Sequence, residues 1–438
     1  MSTEEPLAGS SNKTEEPLAG SSNKTDAHIR ASGTTSDMGG STEDPYAATS
    51  RDTTEGRVYT VTGGDWDTLL DDSQHDERIV INMGPQHPST HGVLRIILEL
   101  DGEMIRSAEP VIGYMHRGAE KLSEYRDPRQ VLVLMNRHDW LSAFNNELGW
   151  IIAVERMLGI EVPERAKWIR TMMAEWNRIL NHLMFTGSFP LELGAMTPMF
   201  YAFREREMVQ GMMEAATGAR MHHSYVRVGG LKDDLPRGFL KRSAEVLTWV
   251  RKKLHDFETL IMGNEIIHAR TKGIGVLSPE VANAYGCSGP VLQASGVPMD
   301  PRKDEPYEKY AEVEFDIPIG LNGDCYDRLW VLVQRMWESC KIIEQCMDKL
   351  PPGQYISPKL PKKMKIPEGE IYVRTENPLG LMGYYVVGDG GEWPYRLKMR
   401  TASFANVAMI PALLPGTLVP DLIAILGSVF FVVGDVDR

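Results

Sequence analysis

The chain has 438 residues, 42 % of them apolar, and a formal net charge of -13. That content suffices for a large core arranged as one large domain or two to three smaller ones. The acidic balance, with no basic stripe interleaved with aromatics, argues against a nucleic-acid-binding surface, which needs a positive field facing the phosphates.

Met1 to about Gly56 is rich in Ser, Thr, Gly and Glu and holds a tandem copy, Thr3–Lys13 repeated as Thr14–Lys24. A segment so poor in apolar residues cannot bury enough surface to fold alone, so residues 1–56 are expected to be a disordered or draped tail. It has no apolar secretory core, and its acidic residues do not suit a mitochondrial transit peptide. A β region is expected over 57–127. It opens with the β-branched run Ile79, Val80, Ile81 and continues in Val93–Leu100, where Leu94, Ile96, Leu98 and Leu100 share one face before the hairpin signal Asp101-Gly102. Between these runs, Pro85 and Pro88 make residues 82–91 a loop, and it carries His87 and His91.

A helical core is expected over 128–350. Trp168, Met172, Trp176, Ile179 and Leu183 recur at three- and four-residue steps as a core-facing stripe. A second long helix is expected from about Tyr326 to Leu350, ended by Pro351-Pro352-Gly353. Residues 351–438 return to short strands and Gly-rich turns around Gly388–Gly391. The apolar run Leu422–Gly434, bracketed by Asp421 and Asp435, is too short to span a bilayer and reads as buried strand or helix. The fold class is α+β, a central bundle of long helices with small antiparallel β regions at the two ends. Cys287, Cys325, Cys340 and Cys346 form no C-x-x-C pair and read as buried thiols, which fits a cytoplasmic bacterial protein.

His87 and His91 stand four apart, the spacing of a helical two-histidine zinc site, but Pro88 opposes a helix and no Glu follows His87. Two loop histidines bonded to backbone are the plainer reading. The segment Asn82-Met-Gly-Pro-Gln-His-Pro-Ser-Thr-His-Gly-Val-Leu-Arg95 nevertheless resembles the loop signature of the 49 kDa-type (D-type) family of complex I, the NADH:quinone oxidoreductase. Further blocks follow in family order: His116-Arg-Gly-Ala-Glu-Lys121, Leu191-Glu-Leu-Gly-Ala-Met-Thr-Pro198, Gly218-Ala-Arg-Met-His222, Gly323-Asp-Cys-Tyr-Asp-Arg328, Ile343-Glu-Gln-Cys346 and Gly434-Asp-Val-Asp-Arg438. The resemblance covers about residues 77–438.

The resemblance implies a fold like the nickel-iron hydrogenase large subunit, but without the paired thiolates that a nickel-iron centre requires, so no metal is expected in this chain. It implies instead a quinone headgroup site, with quinone as substrate, shared with a small partner subunit that carries the terminal iron-sulfur cluster. Reducing a quinone takes two electrons and two protons, so donors to both carbonyls and a group that releases a proton near neutral pH are needed. By motif match His91 faces one carbonyl and Glu192, where the family has Asp, is the acid that would hold its ring and raise its basicity. Trp140 stands where the family has a tyrosine. Its indole N-H can orient the headgroup but delivers no proton, which leaves His91, with Asp139 or His138 as relays. The swap points toward a naphthoquinone, menaquinone. His87 is a further quinone-contact candidate. Arg137, His222 and Arg117 match positions close to the partner's cluster, although Arg117 could instead pair with Glu120 or Glu124.

The implied role is a peripheral-arm subunit on the cytoplasmic side of the bacterial plasma membrane, with the iron-sulfur subunit, the 30 kDa-type subunit and the membrane arm as partners. Lacking a Gly-x-Gly-x-x-Gly fingerprint, the chain is expected to leave NADH and flavin to other subunits. A non-catalytic scaffold of the same complex is the alternative, and a metal hydrolase using His87 and His91 is a third.

Overall fold

The computed structural model describes residues 59–60 and 78–438. The proposed tail and its repeat lie outside them. Two compact units divide the described residues, one holding 59–60, 78–82 and Leu100–Gly102 and the other Met83–Glu99 with Glu103–Arg438. In the first, β1 (Tyr59–Thr60) runs parallel to β2 (Arg78–Met83), with Tyr59 opposite Ile79 and Thr60 opposite Val80. This pair departs from the antiparallel pattern expected of the β regions.

Strands β3 (Arg95–Asp101) and β4 (Met104–Val111) come next in the chain, and Gly102 has the φ of 60° of the left-handed turn anticipated from Asp101-Gly102. Five helices follow: α1 (Ala119–Ser123), α2 (Pro128–Met135), α3 (Ala143–Leu158), α4 (Glu164–Glu192) and α5 (Thr197–Thr217). The small pair β5 (Val226–Arg227) and β6 (Gly230–Leu231) precedes α6 (Phe239–Phe257). Short helices α7 (Glu265–Thr271), α8 (Pro279–Ala284), α9 (Gly289–Ala294) and α10 (Pro301–Asp304) lead to the long α11 (Cys325–Lys349). An antiparallel sheet of β7 (Gly369–Asn377), β8 (Gly380–Gly388) and β9 (Arg396–Arg400) comes next. The chain closes with α12 (Ala402–Ala408), α13 (Ile410–Leu413), α14 (Val419–Val429) and α15 (Val433–Asp437).

The centre is α4, packed against α5, α11, α3 and α14. Its stripe is fully buried, with Trp176, Ile179 and Leu183 at 0 % exposure. Being covered on all sides, α4 also buries its polar faces, and each buried charge there needs a partner. Glu175 accepts from Tyr310 (2.6 Å) and Ser339 (2.7 Å) and pairs with Arg178 and Arg302. Burial works against the Glu175 charge, but the two guanidiniums prevail and hold its pKa at about 2. Arg170 pairs likewise with Glu155 and Glu308, and Arg335 with Glu376. Removing one member would leave an uncompensated charge in the core, at a cost of about 3–5 kcal/mol.

The α11 helix starts where the Asp324 side chain accepts from the Asp327 N–H (2.8 Å). All four cysteines are buried free thiols, three of them on α11. The carboxyl terminus is a clamp: Asp437 accepts from the Gly113 (2.8 Å) and Met115 (2.6 Å) amides, and Arg438 donates to the Met399 carbonyl (3.0 Å). The terminal block therefore fixes the turn that leads into Arg117. Among the described residues no helix is long and apolar enough to cross a membrane.

Candidate functional site

The loop after β2 is shaped by its own side chains. His87 caps a single 3₁₀ turn, Pro88–Thr90, its Nδ1 accepting from the Ser89 amide (3.2 Å), while the Thr90 hydroxyl donates to the His87 carbonyl (2.9 Å). The turn ends at His91 in the left-handed region (φ 56°, ψ 19°), which swings its ring out of line with that of His87. The two histidines therefore do not share a helix face. His87 has a structural task, satisfying the amide at the head of the turn.

The His91 ring stacks on Phe431, with centroids 4.5 Å apart and planes inclined by 11°. Its other side is exposed. Desolvation on the covered side lowers the pKa below the usual 6.5, so the imidazole is neutral at pH 7. No hydrogen bond joins it to Glu192, and the expected acid-imidazole pair is not made. The basicity of His91 is lowered, not raised.

Glu192 ends α4, where Gly194 (φ 91°) turns the chain away. Its Oε2 is buried without a hydrogen-bond partner, and burial pushes its pKa up to about 7. A half-protonated carboxyl at neutral pH is thus ready to give up a proton. Gly427 makes room for it: a Cβ there would stand 2.6 Å from Glu192 Oε2 and 2.6 Å from Phe189 Cδ2.

Trp140 is half-buried in the turn between α2 and α3, and its indole N–H has no hydrogen-bond partner among the described residues. Its ring lies over Gly434, where a Cβ would stand 2.5 Å from Trp140 Cζ3 and 2.6 Å from the His138 carbonyl oxygen. Asp139 is buried, and one of its oxygens accepts from the Leu141 (3.0 Å) and Ser142 (3.2 Å) amides ahead of α3. Burial, then the charge of Asp435, raises its pKa to about 7. His138 is wholly buried with both ring nitrogens unpaired, and burial, followed by Arg117 and Arg438, pushes its pKa down to about 3. A group so hard to charge is a poor relay.

The headgroup candidates thus meet on one strip of chain. Gly427 receives Glu192, Phe431 receives His91 and Gly434 receives Trp140. Phe430, between them, sits edge-on to Phe185 and Phe189 of α4 and anchors the strip. Sequence reasoning identifies the 427–434 strip only as buried. Its glycines carry no signal of what lies against them, and Phe431 is one apolar residue in an apolar run.

A second group gathers on the surface. Arg117 donates to the Arg137 carbonyl (2.9 Å), and His222 Nδ1 hydrogen-bonds the Asn136 carbonyl (3.0 Å). Burial, then Arg137 and Arg117, lowers the His222 pKa. Glu120 and Glu124 pair instead with Lys398, Lys121 and Arg396, so Arg117 is not consumed by either. The exposed guanidiniums of Arg117 and Arg137 make a cationic face, and the half-buried imidazole of His222 stands beside them. A cavity of about 900 Å³ is lined by Arg302, Tyr310, Phe315 and Lys341 and includes none of these residues.

Comparison with known proteins agrees with the resemblance read from the loop blocks. The family model described as respiratory-chain NADH dehydrogenase, 49 Kd subunit, matches residues 192–438. The first D-type NADH-quinone oxidoreductase subunit of Streptomyces coelicolor is 57 % identical over 365 residues, covering 82 % of this chain and 95 % of the relative. The second D-type subunit of Salinispora tropica is 58 % identical over 362 residues, 82 % of this chain and 93 % of the relative. The D-type subunit of Carboxydothermus hydrogenoformans is 48 % identical over 361 residues, 82 % of this chain and 99 % of the relative. The chain belongs to the 49 kDa, or D-type, subunit family of the respiratory-chain NADH:quinone oxidoreductase.

Proposed function

We propose that this chain forms one wall of the quinone headgroup site in the peripheral arm of the complex, completed by a small partner subunit that holds the terminal iron-sulfur cluster. The observation that carries this reading is the convergence of Glu192, His91 and Trp140 on the 427–434 strip, with a separate cationic face beside the same Asn136–Trp140 turn. Electrons arrive from the partner's cluster, and a cation beside such a cluster raises its reduction potential. Arg137 and Arg117 serve that purpose, and His222, whose pKa burial lowers, is the protonatable group beside them.

The protons are this chain's contribution. Glu192, poised at about 7, donates one. Asp139, buried beside Asp435 and also raised to about 7, is a second store. Neutral His91 offers a ring N–H to one carbonyl oxygen, and the unpaired Trp140 indole N–H serves the other. The wide indole in place of a phenol suits the two fused rings of menaquinone. NADH oxidation, the 30 kDa-type partner and the membrane arm lie with other chains, and the docked position is peripheral, on the cytoplasmic face of the plasma membrane.

Replacing His91 with Ala or Met in the assembled complex tests the reading. Quinone reductase turnover should fall at least about tenfold, the lower range for a headgroup hydrogen bond to a site that must orient its substrate. Unchanged turnover would favour the scaffold reading, in which a partner supplies the whole pocket. Trp140→Gln separates the two again, since a scaffold tolerates it without altered quinone KM.

A further inference from the structure

Glu147 lies in the second turn of α3 with no exposed surface, and no cationic side chain pairs with it among the described residues. Burial pushes its pKa up to about 7, and N–H donors that replace its lost hydration are what work against that and favour the charged form. Here three donors do so. The Ser224 amide donates to Oε1 (2.6 Å), the Tyr225 amide to Oε2 (3.0 Å) and the Asn136 side-chain amide to Oε1 (3.1 Å). Ser224 stands in the left-handed region at φ 44°, which turns two successive backbone N–H groups onto one acceptor, as in an anion-binding nest. The Asn136 amide also donates to the Ser224 hydroxyl (3.0 Å) and closes the ring of contacts.

The two segments tied together in this way carry the cationic face. Arg137 follows Asn136 directly, and His222 lies two residues before Ser224. His222 Nδ1 meets the Asn136 carbonyl, which can only accept, so Nδ1 bears the proton and Nε2 is the nitrogen left to titrate. We propose that Glu147 is the positioning residue of the cationic face, fixing through Asn136 and the Ser224–Tyr225 amides where His222 and Arg137 stand toward the electron-donating partner. This rests on the assignment of that face to the partner's cluster. Glutamine cannot replace Glu147, because its NH₂ would oppose one of the three donors.

The test uses the intact complex carrying Glu147→Gln, with Asn136→Ala as a milder variant that keeps both backbone donors. The midpoint potential of the partner's terminal cluster should move in the direction caused by His222→Ala, less for Asn136→Ala, and Glu147→Gln combined with His222→Ala should shift it by less than the sum of the two single shifts. A parental midpoint in an assembled Glu147→Gln complex overturns the proposal, as does full additivity. If His222→Ala itself leaves the midpoint unmoved, the assignment of the face fails, and the clamp is judged separately from acylation of His222 read by mass spectrometry. Glu147→Gln should then make His222 at least about tenfold more reactive, the scale of a lost charge-assisted hydrogen bond. An unaltered rate sinks the clamp itself.

Discussion

Replacing Glu192 with Gln removes an acid whose folded-state pKa stands at about 7 against an ordinary 4.5. Protonated Glu192 falls from about 90 % at pH 6 to about 10 % at pH 8, so a turnover that needs its proton loses about ninefold across that interval. Quinone reductase activity of the assembled complex, followed from pH 5.5 to 8.5, should show this alkaline limb. Glu192→Gln should lower the activity about 100-fold at pH 6, the lower range for loss of a general acid, and abolish the limb. Stability should move oppositely. The unfolded chain ionises at 4.5 and the folded chain holds the proton until about 7, so the native state loses stability as pH rises between those values, by about 3 kcal/mol in full and less to the extent that solvent reaches the carboxyl. Glu192→Gln should consequently be neutral for stability near pH 4.5 and stabilising at pH 8. An alkaline limb that survives in Glu192→Gln would refute the assignment of the proton to this carboxyl.

Gly427→Ala should force either Glu192 Oε2 or the buried Phe189 ring to move, destabilising by about 1–3 kcal/mol in thermal unfolding and lowering turnover without loss of the iron-sulfur signal. Phe431→Ala should free the His91 ring, raising quinone KM while costing about 0.5–1.5 kcal/mol for the stack beyond the lost burial. Asp437→Ala removes the acceptor for the Gly113 and Met115 amides and should lower Tm by several degrees, about 2–3 kcal/mol, with the pH profile unchanged in shape.

The large elements were legible in the sequence wherever one face differs from the other. The Trp168–Leu183 stripe pointed to α4, the helix expected from about Tyr326 to Leu350 is α11, and the double proline at 351–352 marked its end. Periodicity showed only the apolar side of α4. It concealed that Glu175, Arg178 and His182 are equally buried, because a helix at the centre of a fold has no solvent side for its polar residues. The site was legible only in part. His91, Trp140 and Glu192 were named through the resemblance of their blocks, and Arg117, Arg137 and His222, named in the same way, lie around the Asn136–Arg137 backbone. The pairing of Glu192 with His91 failed because Phe431 takes the imidazole face and burial, not a neighbouring acid, governs its protonation. Nothing in Asn145-Asn-Glu147 announces a buried carboxyl that organises a turn nearly eighty residues away, since two of its three donors come from that distant segment.

Photolabelling of the intact complex with an azido-quinone, followed by peptide mapping, addresses the 427–434 strip most directly. The modified residues should fall in the segments 87–91, 139–140 and 427–434 of this chain, and excess unreactive quinone should protect all three together. Labels confined to other subunits, or to the cavity bordered by Arg302 and Tyr310, would contradict the placement of the headgroup on this strip.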